Sequence, residues 1–185
     1  MRIISGKFKG KKIIQPEDRL TRPLKDLTKE SIFNIRHHSN IIDVKIENSN
    51  ILDLFSGVGS FGLECISRGA ANIIFYENYK NVLKILKKNI INLDCHKNTK
   101  IIELNAFNQN AFDFINIKFE IIFIDPPYKK KDLSLILSNI YKMNILKKNG
   151  IIIIHRHKEE KDKFPDRFNV ILEKTYGISK IIFGN

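Results

Sequence analysis

The sequence predicts an α/β fold: a mostly parallel seven-stranded sheet ending in an antiparallel hairpin, preceded by a small β-hairpin and helix. Three observations predict it. From Asn50 onward, short β-branched runs alternate with apolar stripes at helical spacing, the pattern of a parallel sheet covered by helices. A glycine turn, Gly57-Val58-Gly59-Ser60-Phe61-Gly62, joins the first of these strands to the first of these helices. Asp125-Pro126-Pro127-Tyr128 ends the fourth strand abruptly, because proline has a fixed φ and no N–H to give a sheet.

Residues 1–15 read as a hairpin: Arg2-Ile3-Ile4 and Lys12-Ile13-Ile14 are β-prone, with Gly6 and Gly10 in the turn between them. A linker follows over 16–22. Pro23 suits an early helical position with Thr21 as cap, and Leu24, Leu27, Ile32 and Ile35 stripe a helix to about Arg36. The Asn-rich stretch after it divides an extension, 1–40, from a main domain, 41–185. Within that domain strands are predicted at 51–54, 73–76, 100–104, 119–124, 151–154, 169–172 and 178–183. Helices are predicted at 60–68, along Tyr79, Val82, Leu83, Leu86, Ile90 and Leu93, at 111–115, and along Leu133, Ile136, Leu137 and Ile140. Asn149-Gly150 reads as the turn into the fifth strand and Tyr176-Gly177 as the turn of the last hairpin.

A chain of 185 residues, 43% hydrophobic, can build one cored domain with an extension. No apolar run reaches the roughly 20 residues of a membrane span. Cys65 and Cys95 form neither a metal-ligand spacing nor a disulfide framework, so a cytoplasmic, metal-free protein is expected, and a monomer. The net charge of +12 favours a polyanionic partner. An Ile-, Lys- and Asn-rich composition fits AT-rich coding DNA, so placement of charge weighs more than its total. Arg2, Lys7, Lys9, Lys11 and Lys12 crowd the hairpin with no acid among them, and Lys129-Lys130-Lys131 follow the Asp-Pro-Pro-Tyr loop. The hairpin is either an RNA-contacting arm or a solvated edge.

The spacing Gly57-x-Gly59-x-x-Gly62, with Glu77 about twenty residues on, matches a dinucleotide fingerprint. Asp53, just before the turn, suits the amino group of S-adenosylmethionine better than a pyrophosphate. Tyr76-x-x-x-Lys80 has the letters of a dehydrogenase pair but straddles a strand end. The Asp125 loop suits a planar base with an exocyclic amine: carboxylate and main-chain carbonyl accept its hydrogens, and Tyr128 stacks on the ring.

The chain resembles the RsmD-type 16S rRNA guanine-N2 methyltransferases. The resemblance runs through Arg2 to Gly6, Lys9 to Lys12, Arg22-Pro23, Asp53 to Glu64, Ser67 to Ala70, Asp125 to Tyr128 and Tyr176-Gly177, and departs at Leu24, Leu27 and Asn78. It implies a class I, Rossmann-like methyltransferase acting on 16S rRNA in an assembling 30S particle. S-adenosylmethionine is held by Asp53, Phe55, Gly57, Gly59, Glu77, Asn105 and Ala106. Asp125, Pro126, Pro127 and Tyr128 act on the base, and Arg2, Lys7, Lys9, Lys11, Lys12, Arg22, Lys129 and Lys130 contact RNA. The rival readings are a DNA amino-methyltransferase, a non-catalytic RNA-binding assembly protein and an NAD-dependent oxidoreductase.

Overall fold

The computed structural model describes residues 1–16, 26–38, 44–127 and 133–185, with the backbone alone over 35–38. Strands β1 (Asn50–Leu54), β2 (Asn72–Tyr76), β3 (Thr99–Ile102), β4 (Phe119–Ile124), β5 (Leu146–His157), β6 (Val170–Tyr176) and β7 (Ser179–Gly184) form one sheet. Their order is β3-β2-β1-β4-β5-β7-β6. The first five are parallel, and β7 runs antiparallel to both β5 and β6. The helices are α1 (Asp26–His38), α2 (Ser60–Ser67), α3 (Lys80–Asn92) and α4 (Leu133–Lys142).

Parallel strands are buried on both faces, which is why β4 reads as Ile and Phe broken only by Glu120 and the centre of β5 as four consecutive Ile, 151–154. Alternation divides their side chains between two layers. Ile51, Phe75, Phe123, Ile153 and Phe183 belong to one cluster, with Phe61 and Leu63 of α2 and Val82 and Leu86 of α3. Leu52, Ile122, Ile124, Ile152 and Ile182 belong to the other, with Leu133, Ile136 and Ile140 of α4 and Phe112 of the β3–β4 connection. A stack of rings, Phe33 on Phe61 at 5.4 Å and Phe61 on Phe123 at 4.0 Å, carries the first cluster from α1 through α2 to the sheet.

The N-terminal hairpin joins this first cluster through Ile3, Phe8 and Ile13. It is too short for two strands: one antiparallel bridge, Arg2 with Lys12, forms instead. Its backbone is tied down by side chains of α2 and α3. The Glu64 carboxylate, fully buried, accepts the Ile4 and Ser5 amides at 2.8 and 3.0 Å and the Arg68 Nε at 2.9 Å. Lys29, also fully buried, sits 3.5 Å from Glu64 and donates to the Arg2 carbonyl at 2.8 Å. Burial pushes the Lys29 ammonium below its usual range, against the opposing pull of Glu64 and Asp26. Gly6 packs where a Cβ would lie 1.8 Å from the Ser67 carbonyl oxygen, and its φ of +81° is left-handed, so a side chain is excluded twice over.

Three local expectations change. The helix expected at 111–115 is a run of turns, in which Ala111, Asp113 and Ile115 donate to the carbonyls three residues back. The Tyr76 hydroxyl takes the Ala111 carbonyl at 2.6 Å, an acceptor a helix would offer to Ile115. The same bond leaves Tyr76 nothing to do with a dehydrogenase pair, and burial pushes its phenol up to about 12. The expected Asn149-Gly150 turn lies inside β5, where the register against β4 shifts between Phe119 and Ile121. The third strand stops at Ile102, short of Leu104.

Removing the Glu64 carboxylate leaves buried Lys29 and two backbone amides without their shared acceptor. Glu64→Ala is expected to destabilise the fold by about 3–5 kcal/mol in urea unfolding. A loss below about 1 kcal/mol would show that the arm is held by apolar contact alone.

Candidate active site at the strand ends

The strand order reverses at β1, whose neighbours are β2 and β4. The connection leaving β1 carries α2 on one face, and the connection leaving β4 carries α4 on the other. Open α/β sheets bind ligands in the crevice at the carboxyl end of such a pair. Here those ends carry Asp53 to Gly59 and Asp125 to Pro127, and the Asp125 amide donates to the Leu54 carbonyl at 3.3 Å.

The turn after β1 runs through three left-handed residues, Phe55 (φ 58°), Gly57 (φ 54°) and Gly59 (φ 84°). A Cβ on Gly59 would meet Leu86 Cδ1 at 2.5 Å, so α3 packs directly on the turn. A Cβ on Gly57 would meet nothing within 4 Å. That side of the turn is open for a ligand to approach the backbone closely. Asp53 lies beneath the turn, 1% exposed, and its Oδ2 accepts the Gly62 amide at 3.0 Å, fixing the first turn of α2. Burial, then the charges of Asp125 and Glu77, push the Asp53 carboxyl well above the usual carboxylate range; the Gly62 bond opposes this.

Glu77, at the end of β2, grips the same turn. Its Oε2 accepts the Gly57 amide at 2.8 Å, and its Oε1 accepts the Asn78 and Tyr79 amides, both at 2.9 Å. A carboxylate offers about four lone-pair positions. Three are taken, so as it stands Glu77 has room for one ligand hydroxyl. Beyond β3, the Asn105 Oδ1 accepts the Phe107 amide at 3.0 Å and Ala106 is buried. The Phe55 and Phe107 rings meet at 4.9 Å, forming an aromatic wall between the ends of β1 and β3. Phe107 is a residue that spacing alone did not single out.

Asp125 projects from the end of β4 with its side chain one-fifth exposed, Pro126 buried and Pro127 exposed. Its Oδ1 lies 2.8 Å from His155 Nδ1, and His155 Nε2 lies 2.9 Å from Ser179 Oγ. Burial favours neutral His155, but the Asp125 charge and hydrogen bond outweigh it and raise the imidazole above its ordinary value, while Arg156 opposes them. Neither His155 nor Ser179 was expected. His155 follows the apolar run of β5 as Asp125 follows that of β4, so the same strand-end rule would have found it.

Arg2, Lys7, Lys9, Lys11 and Lys12 are all exposed on the hairpin, and the Lys7 and Lys11 ammoniums lie 5.2 and 5.0 Å from the Phe8 ring. The Asn89 amide donates to both the Ile14 and Val58 carbonyls at 3.1 Å, so the arm ends one side chain away from the glycine turn. Tyr128, Lys129, Lys130 and Arg22 lie outside the described residues. Among the described residues no cluster of His, Cys, Asp and Glu could hold a metal ion, and no helix is long and apolar enough to cross a membrane.

The residues at the glycine turn fit S-adenosylmethionine: an open backbone at Gly57, acidic Glu77 next to it, and aromatic Phe55 and Phe107 beside it; Asp53, buried beneath the turn, holds the backbone at Gly62 and does not face the ligand. The buried acid beneath the turn has a measurable consequence. A carboxyl raised on folding contributes stability that is present below its unfolded value, about 3.9, and lost as pH climbs through its folded value. Asp53→Asn removes this titration, so its Tm is expected to gain on that of the wild-type protein as pH rises above the unfolded value. A difference independent of pH would contradict the burial of an ionisable acid there.

The model of the family described as Conserved hypothetical protein 95 matches residues 1–185. Ribosomal RNA small subunit methyltransferase D of Haemophilus influenzae is 32% identical over 183 residues, covering 96% of this chain and 90% of the relative. The protein of the same name from Buchnera aphidicola subsp. Baizongia pistaciae is 32% identical over 184 residues, covering 98% and 88%. A solved Escherichia coli structure, provisionally named a methyltransferase, superposes with a TM-score of 0.79 at 26% identity, over 100% of this chain and 96% of that one. The chain therefore belongs to the Conserved hypothetical protein 95 family and is a methyltransferase with relatives among the ribosomal RNA small subunit methyltransferase D proteins.

Proposed function

We propose that this enzyme methylates the exocyclic N2 amine of a guanine in 16S rRNA, with S-adenosylmethionine as donor, on an assembling small subunit. The observation that carries the reading is Asp125: an acidic acceptor followed by two prolines, set at the β1–β4 crevice beside the glycine turn.

S-adenosylmethionine, when bound, supplies a methyl group made electrophilic by its sulfonium. The chain's own residues do the rest. Gly57 admits close approach to the backbone, and Glu77 orders that backbone while keeping one acceptor position. Asn105, Ala106, Phe55 and Phe107 bound the adenine side. The guanine N2 lone pair is delocalised into the ring, so the amine is a weak nucleophile. Asp125 and the Pro126 carbonyl accept hydrogen bonds from its two hydrogens and favour the tetrahedral nitrogen that forms as the N–C bond is made and the methyl's bond to sulfur breaks. The product amine then releases one proton to water, with S-adenosylhomocysteine as the other product. Tyr128 stacks on the base and holds the nitrogen in line, the positional share of the rate. The guanine must leave its stack to reach this pocket. The basic face of the hairpin, with Arg22, Lys129 and Lys130, holds the rRNA backbone.

The test is methyl transfer from labelled S-adenosylmethionine to undermethylated small-subunit particles, followed by nucleoside analysis. N2-methylguanosine in 16S rRNA is expected. Asp125→Ala is expected to lower turnover by about 100-fold or more, with cofactor affinity retained. Label in DNA rather than rRNA, or full turnover by Asp125→Ala, would overturn the reading.

A further inference from the structure

Three carboxylates converge at the carboxyl edge of the sheet. Asp53 lies on β1, Glu77 follows β2 and Asp125 follows β4, and Asp53 feels the charge of both others. Glu77 spends its charge on three backbone amides, and Asp53 is covered by α2. Of the three, among the described residues, Asp125 has a side-chain partner that can carry positive charge: His155 of β5. His155 is itself buried, 6% exposed, and is gripped from the far side by Ser179, the first residue of β7 and also 6% exposed.

These groups share one face of the sheet. Alternation places Ile151 and Ile153 of β5, with Ile181 and Phe183 of β7, in the cluster that includes Phe123 of β4. Asp125, His155 and Ser179 continue those three rows at their polar ends. The result is a relay of two hydrogen bonds, 2.8 and 2.9 Å, crossing from the end of β4 over β5 to β7. Such a chain holds a carboxylate in one rotamer, which a lone acid on a loop between a strand and two prolines does not achieve.

We propose that His155 is a positioning residue for methyl transfer: anchored on Ser179, it occupies Asp125 Oδ1 and so sets Oδ2 for the amine to be methylated. The proposal rests on the reading of Asp125 given above. It gives β7 a task in catalysis. The antiparallel hairpin that closes the sheet braces the acid across one intervening strand.

The charged groups acting on His155 define its titration. Asp125 faces it from the end of β4, and Arg156 adjoins it on β5. From β7, Ser179 offers only a hydroxyl, and the Lys180 ammonium is drawn off to the Glu160 carbonyl at 2.6 Å. The imidazolium form is favoured by Asp125, so the ion pair exists below the raised folded value and is lost as pH rises through it. Above that pH the neutral ring can still donate one hydrogen bond.

The experiment follows kcat against pH for the wild-type enzyme, His155→Gln and Asp125→Asn, with S-adenosylmethionine affinity measured by calorimetry. The wild-type profile is expected to carry an inflection that coincides with the His155 imidazole titration read by NMR. His155→Gln is expected to lose kcat by roughly 10- to 100-fold, to lose the inflection, and to bind the cofactor within about twofold of wild type. A purely structural histidine would leave the shape of the profile unchanged. If Asp125→Asn is inactive while His155→Gln matches wild type in kcat and pH profile, the inference is overturned and the reading of Asp125 stands. If Asp125→Asn turns over normally, that reading fails first. Should His155→Gln not fold, the wild-type protein decides: a kcat flat across the NMR titration of His155 overturns the proposal.

Discussion

At β1 the sheet changes direction, and its two parallel neighbours are reached by connections on opposite faces. No helix can then cover the carboxyl ends of β1 and β4. The backbone there must be satisfied by its own turn, which explains the chemistry found at those ends. Asp53 accepts from Gly62, Glu77 accepts from Gly57, Asn78 and Tyr79, and Asp125 donates its amide to Leu54. Asp53 and Glu77 sit there as acceptors for backbone amides, whereas the Asp125 carboxylate is held by His155. On the proposed reading, Glu77 and Asp125 suit this crevice to a cationic donor and an amine.

The hairpin at the start of the chain is tied to this crevice by a second set of buried polar groups. Glu64 and Ser67 on α2 and Asn89 on α3 each bind backbone of the hairpin, and Asn89 also binds Val58 in the glycine turn. Helices that shape the turn thereby hold the basic arm. A proposed RNA contact and a proposed cofactor contact are two sides of α2 and α3, and each arrangement constrains the other.

Much of this was legible in the sequence because strand ends announce themselves. An apolar run broken by a polar residue marked Asp53, Glu77 and Asp125, and the alternation of runs and stripes marked the layers. The turns at 111–115 were not legible, because the group that claims the Ala111 carbonyl is Tyr76, on β2 and 35 residues earlier. The early start of β5 was hidden by Asn149-Gly150, whose turn chemistry serves a bulge instead. His155 stood in plain view after Ile154. Its meaning depends on Asp125 and Ser179, which lie 30 and 24 residues away in the chain, and no local pattern joins them. Glu64 was visible as a motif letter only; its partners come from the hairpin, α1 and its own helix.

In the proposed function, the crevice between β1 and β4 is where the donor binds and the base is delivered. A crystal structure with S-adenosylhomocysteine tests that most directly. The ligand is expected against the Gly57–Gly59 backbone, with a ribose hydroxyl on Glu77, its adenine beside Phe55, Phe107 and Asn105, and its sulfur turned toward Asp125. A ligand bound elsewhere on the chain, or one whose sulfur faces away from Asp125, would contradict it.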